Sequence, residues 1–170
     1  GNNGGPMMQR SHVLFGNGAG GFAANFAVLP AMNSGLTASH LVDLDGDGLP
    51  ELVTGMMHSL KMNQVYWNQA GSYTSQLPTF LAEPVNFGND WGVMDIQSTD
   101  LNADGRQDLV LMYQGHVAYG GWQLQFLINE GNRTFSDQTA TYLPYPSVVT
   151  SGLPSSSNWK SQIFFMQPRD

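Results

Sequence analysis

Residues 43–51 read Asp-Leu-Asp-Gly-Asp-Gly-Leu-Pro-Glu, and 57 positions later residues 100–108 read Asp-Leu-Asn-Ala-Asp-Gly-Arg-Gln-Asp. Each copy places an oxygen-bearing side chain at loop positions 1, 3, 5 and 9 and a glycine at position 6. Alternate side chains on a short loop converge on one point, where several anionic oxygens repel each other unless a hard cation lies among them. The pattern predicts two metal-binding loops and an internal repeat. The alternative is a solvated Asp/Gly turn without metal, which would have to occur twice in equivalent places.

Short apolar segments follow each loop and are typical of strands. They alternate or run in blocks that Gly and Asn interrupt, which favours β-structure over helix. A turn rich in Asn and Gly, followed by an aromatic residue, then recurs at Phe22, Tyr73 and Phe135. The predicted strands are 52–57 and 64–67 in one unit and 109–113 and 122–128 in the other.

These interleaved signals indicate about three units, with approximate bounds 1–57, 58–115 and 116–170. The first unit is predicted to begin midway, because the strand-and-turn pattern starts at Val13 without a preceding loop. The last residue, Asp170, follows a strand-like stretch and is predicted as the first ligand of a truncated third loop. Coincidence is the alternative for Asp170. The interpretation is a fragment of a longer repeat array.

The composition fits one turn-rich globular domain. Apolar residues make up 41% of the chain and charged residues only 11%, which is ample for a core and typical of β proteins. The net charge of −7 resides mostly in the two loops, and the six scattered Lys and Arg residues give no footprint for nucleic acid. The absence of cysteine excludes disulfides and thiolate metal sites. No apolar run is long enough to span a membrane.

The loops differ from an EF-hand, which needs an acid at position 12 and flanking helices. Position 12 is Thr54 in the first loop and Leu111 in the second, and predicted strands follow. The order of acids, the Leu-Val that follows, the downstream turn and the Phe15-Gly16 pair resemble the calcium loops of FG-GAP/VCBS repeats in integrin-type β-propellers. The resemblance implies an all-β fold of four-stranded antiparallel blades. Three blades do not close a propeller, so the remaining blades are expected from the same chain or another subunit.

The resemblance also implies two calcium sites. Oxygen ligands favour calcium over zinc or copper, and about seven of them favour calcium over magnesium. Four acids in the first loop against three in the second predict tighter binding at the first. The implied ligands are the side chains of Asp43, Asp45, Asp47 and Glu51 with the Leu49 carbonyl, and the side chains of Asp100, Asn102, Asp104 and Asp108 with the Arg106 carbonyl.

The leading functional hypothesis is a calcium-binding, non-catalytic scaffold for adhesion or assembly, extracellular or at the cell surface, with a protein or glycan partner. One alternative is a carbohydrate-binding propeller or the ancillary module of a polysaccharide-active enzyme. In that case sugar rings would stack on the four tryptophans, Trp67, Trp91, Trp122 and Trp159. The other interpretation of these tryptophans is packing in the core. A propeller segment of a large secreted toxin shell is a second alternative. Catalysis is not expected, because the acids are committed to the loops, His58 and His116 are isolated, and no nucleophile motif occurs.

Overall fold

The computed structural model describes residues 12–29, 35–57, 63–84, 91–115 and 122–143, and these residues are nearly all β. One four-residue helix is the exception to the predicted all-β fold, and it holds no buried residue. None of the described helical structure is long or apolar enough to cross a membrane. The elements are β1 (His12–Gly16), β2 (Phe22–Val28), β3 (Leu36–Val42), β4 (Glu51–Met56), β5 (Gln64–Tyr66), β6 (Thr79–Phe80), β7 (Trp91–Thr99), β8 (Asp108–Gly115), β9 (Trp122–Gly131), β10 (Thr134–Asp137) and α1 (Thr139–Tyr142).

The strands form two four-stranded antiparallel sheets and one hairpin. The first sheet has the order β3-β4-β5-β6, the second β7-β8-β9-β10, and β1 pairs with β2. Sheets that meander in this way are the blades of β-propellers, and all four predicted strands are confirmed. The predicted unit bounds at 57/58 and 115/116 fall between the second and third strands of each sheet. The boundary between two repeat units can be placed at any equivalent point of the repeat. The division of the whole chain into three units therefore stays a prediction.

Strand β4 is buried on both faces, because it lies in the middle layer of three. Successive residues of a strand point to opposite faces. Val53 belongs to the core cluster shared by the two sheets, together with Leu109 and Leu111. Its neighbour Leu52 packs on the opposite face, in a cluster with Phe15 of the hairpin. The first loop leads directly into this central strand.

The two sheets approach closely where β3 and β4 face β7. A Cβ atom added at Gly55 of β4 would lie 2.5 Å from Cγ1 of Val93. The Thr37 hydroxyl of β3 donates a hydrogen bond to the Val93 carbonyl. Only glycine leaves room for this contact, so the sheet spacing depends on one missing side chain.

A histidine also joins the sheets and makes the contact sensitive to pH. Nε2 of His40 lies 2.9 Å from Oγ of Ser98. Burial lowers the pKa of His40 from 6.5, and the negative charge of Asp95 opposes this shift in part. The unfolded chain therefore binds this proton more tightly than the folded one, so protonation of His40 favours unfolding.

We expect the free energy of unfolding to fall as the pH drops from about 6.5 through the lowered pKa of His40, and this loss to be smaller in His40→Gln. Urea titrations of both proteins at about pH 7 and about pH 5 measure it. All groups other than residue 40 are common to the two proteins, so their contributions cancel in the difference. Parallel losses in the two proteins would contradict a role for His40.

Candidate metal centre

The first loop, residues 43–51, curls around its own first carboxylate. Oδ1 of Asp43 accepts a hydrogen bond from the Gly46 N–H at 2.8 Å, and Oδ2 accepts from the Gly48 N–H at 2.9 Å. Both glycines have left-handed backbone conformations, with φ of 78° and 85°, which side chains disfavour. The glycine at position 6 is thus required by the turn, as the sequence predicts.

The acid at position 9 lies beneath the loop. Glu51 is the first residue of β4 and is completely buried. Its Oε2 accepts from the Leu44 N–H at 2.7 Å, and its Oε1 accepts a long bond from the Asn68 N–H at 3.4 Å. Burial raises the pKa of Glu51, and the negative charges of nearby acids add to this, while the two N–H donors oppose it. A buried carboxylate in this state is stabilised by any cation that binds next to it.

Three of the predicted ligands come together in the first loop. Asp43, Asp45 and Glu51 each offer a carboxylate oxygen, and these three oxygens lie within 4.8 Å of one another. Ligands on opposite sides of a calcium ion, each at about 2.4 Å, are at most about 4.8 Å apart. The spacing and the purely anionic oxygen donors therefore fit a hard cation.

Of the other two predicted ligands of the first loop, the Asp47 carboxylate is not among the three converging side chains. Asp47 is exposed, and its Oδ1 accepts from the Leu49 N–H at 2.7 Å. This bond shapes the second half of the loop. Leu49 is 38% exposed, and the role of its carbonyl stays a prediction.

The second loop, residues 100–108, has the same backbone frame. Oδ2 of Asp100 accepts from the Gly105 N–H at position 6, and Oδ2 of Asp108 accepts from the Leu101 N–H at position 2, both at 2.8 Å. Gly105 again has a left-handed φ, 84°. Asp108 is completely buried like Glu51, and burial raises its pKa. Two loops with equivalent hydrogen bonds support the predicted repeat.

The carboxylates of the second loop are engaged differently. Oδ2 of Asp104 accepts hydrogen bonds from Nη2 of Arg106 at 2.6 Å and from Nδ2 of Asn102 at 2.8 Å. Within the described ranges, only the first loop brings three acidic side chains within 4.8 Å of each other. The ligand set predicted for the second loop, including the Arg106 carbonyl, stays a prediction.

Two asparagines support the loops, and the sequence interpretation assigned them only to turns. Nδ2 of Asn68 donates to the Pro50 carbonyl, and Nδ2 of Asn129 donates to the Gln107 carbonyl, each at 3.1 Å. Both carbonyls belong to loop position 8. The backbone N–H of Asn129 also donates to Oδ1 of Asp108 at 2.8 Å. The signal available in the sequence was an asparagine directly after each of the predicted strands 64–67 and 122–128.

Asn129 also connects the two sheets at the first loop. Its Nδ2 donates to the carbonyl of Leu44 at 2.8 Å, across 85 residues of sequence. Leu44 is the residue whose N–H binds Glu51. The second sheet therefore helps to hold the first loop in the shape that brings its carboxylates together.

The comparison with protein families agrees with this geometry. Residues 43–111 match the sequence model of a family described as FG-GAP-like repeat. This segment is similar to an FG-GAP-like repeat. The FG-GAP-like repeat begins at the first residue of the first loop and ends in β8, so it includes both loops. No curated protein and no solved structure matches the chain.

The tryptophans that are described favour packing over sugar binding. Trp67 is only 2% exposed, and its Nε1 donates to Oγ1 of Thr79 at 2.9 Å. Trp91 is partly buried and packs against the shared core. The side chains of Trp122 and Trp159, and the predicted positions His58, His116 and Asp170, lie outside the described residues.

Proposed function

We propose that this chain is a calcium-binding, non-catalytic module of an extracellular β-propeller that serves as a scaffold for adhesion or assembly. The observation that carries the proposal is the convergence of Asp43, Asp45 and Glu51 within 4.8 Å. The FG-GAP-like repeat supports a propeller-type module of this kind. The four-stranded antiparallel sheets support it as well.

The mechanism is stabilisation by mass action. Bound calcium supplies positive charge among the loop acids. The unfolded chain does not gather those acids, so calcium binds the folded state and raises its stability. The first loop joins β3 to β4, the strand buried on both faces. Fixing this loop therefore secures the strand on which both core clusters depend.

An extracellular location suits the chemistry of the site. Calcium loops of extracellular modules commonly bind with dissociation constants of about 10⁻⁴–10⁻³ M. Such sites are filled in millimolar calcium and are empty at the far lower concentrations of a cytosol. A scaffold with such sites would reach its full stability only at the calcium concentration found outside the cell.

Thermal unfolding with and without calcium tests the proposal. At about 10 mM calcium, one site with such an affinity adds about 1.4–2.7 kcal/mol, which for a chain of this size raises Tm by about 3–10 °C. The comparison sample contains a chelator, and magnesium at the same concentration is expected to produce a smaller shift. An unchanged Tm in calcium would refute the proposal.

A matched pair of variants locates the effect. Asp43→Asn removes one charge from the cluster and is expected to abolish most of the calcium-dependent shift. Glu130→Gln removes the same charge from an exposed residue outside both loops and is expected to keep the shift. Equal losses in both variants would indicate general charge effects rather than a site.

A further inference from the structure

We propose that Arg133, which reaches the first loop from the second sheet, sets the calcium affinity of that loop by competing with the ion for Asp45. This inference rests on the proposed function, because it concerns the same site. It adds a residue that no loop motif contains and that lies on a different sheet.

The guanidinium of Arg133 lies directly against a predicted ligand. Its Nη2 is 3.5 Å from Oδ2 of Asp45, one of the three acids in the cluster. Both side chains are partly accessible to water. An arginine in this place partly neutralises the carboxylate that calcium would bind.

The position of Arg133 is also held by contacts with residues outside the loop. Its Cζ lies 4.7 Å from the ring centroid of Trp67, in a cation–π contact. Its carbonyl accepts a hydrogen bond from Oγ1 of Thr79 at 3.4 Å. Trp67 directly follows β5 and Thr79 lies in β6, so both contacts hold Arg133 against the first sheet, close to Asp45.

The turn that carries Arg133 has an unusual residue choice. Asn132 and Arg133 connect β9 to β10 and both have left-handed φ, 50° and 64°. A two-residue hairpin of this kind favours glycine at its second position. Arginine there costs backbone energy and gains the contacts with Trp67 and Asp45.

In the second loop, too, an arginine forms an ion pair with a loop acid. Arg106 and Arg133 are the two Lys or Arg residues within the described ranges, and each pairs with a loop acid. Arg106 binds position 5 of its own loop, whereas Arg133 binds position 3 of a loop on another sheet. The scarce positive charge of the described chain is thus concentrated at the two loops.

Competition and a purely structural role of Arg133 predict opposite changes in calcium affinity when Arg133 is replaced. If Arg133 only positioned the loop, its removal would weaken calcium binding. If it competes, removing its charge relieves repulsion of the ion and frees Asp45. A partly exposed charge pair is a weak interaction, but a divalent ion is repelled by the guanidinium twice as strongly as a monovalent one. We therefore expect calcium to bind about three- to tenfold more tightly when this charge is removed.

Calorimetric titration with calcium chloride tests this in a chain that also carries Asp100→Asn, which weakens the second site and isolates the first. In this background Arg133→Gln is expected to lower the dissociation constant about three- to tenfold, and less at high salt. Arg133→Lys keeps the charge and is the matched control, expected to stay near the parent value. Arg133→Met retains an apolar stem against Trp67 and replaces the glutamine variant if that one fails to fold.

The outcomes separate the two proposals. Tighter binding in Arg133→Gln or Arg133→Met but not in Arg133→Lys supports competition. Calcium binding by the parent with equal or weaker binding in the neutral variants overturns the role of Arg133 and leaves the calcium site intact. No calcium binding by the parent overturns the proposed function, and this inference with it.

Discussion

Replacing Glu51 with alanine is expected to lower the free energy of unfolding by about 2–4 kcal/mol, even without calcium. The carboxylate is completely buried and accepts from the N–H groups of Leu44 and Asn68. Alanine leaves both donors without their acceptor in a buried place. The first loop is expected to lose calcium binding as well, because its buried ligand is gone.

Urea unfolding in chelator measures the first effect, and calcium titration measures the second. Glu51→Gln keeps one oxygen for the Leu44 N–H, so a smaller loss of about 1–2 kcal/mol is expected together with weaker calcium binding. Glu130→Ala, at an exposed acid, is the control and is expected to change stability by less than about 0.5 kcal/mol. Wild-type stability in Glu51→Ala would show that the buried carboxylate does not hold the loop.

Gly55→Ala is expected to destabilise the protein by about 2–3 kcal/mol through overpacking. The added Cβ would lie 2.5 Å from Cγ1 and 2.6 Å from Cβ of Val93. The second sheet must then move away from the first, which disturbs the core that both share. Because Asn129 holds the first loop across the same interface, weaker calcium binding is expected to accompany the loss of stability.

A double-mutant cycle checks the mechanism of this second effect. Val93→Ala removes Cγ1, the nearest atom that the new methyl group would strike, but keeps Cβ. The overlap is therefore relieved only in part, and the double variant is expected to be more stable than the sum of the single changes by about 1 kcal/mol. Gly35→Ala is the control, since an added Cβ there meets nothing within 4 Å. Additive losses would mean that the contact between Gly55 and Val93 does not limit the sheet spacing.

Much of the local structure can be predicted from the sequence because it depends on short-range patterns. The strands 52–57 and 109–113 follow from apolar runs after each loop, and both are confirmed. The turn at Gly48 follows from the need for a left-handed residue at position 6. The repeat follows from the second copy, and residues 43–111 match the FG-GAP-like repeat.

The acidic cluster is a mixed case. The spacing of Asp43, Asp45 and Glu51 predicts that they converge, and they do. The spacing of the second loop predicts the same, and there Asp104 pairs with Arg106, while the full ligand set stays a prediction. Whether a neighbouring arginine forms an ion pair with a loop carboxylate depends on the directions of both side chains. The spacing of residues in the loop does not determine these directions. The calcium itself, the adhesive role and the third loop at Asp170 stay predictions.

Sequence alone determined four of the strands, the turns and the loop frames of this protein, because each depends on residues only a few positions apart. Tertiary structure alone decided which distant residues complete the first loop. Asn129 contacts Leu44 across 85 residues, and Arg133 reaches Asp45 from another sheet. Such contacts arise when two sheets bury a common core, and their partners depend on how those sheets stack rather than on any local pattern.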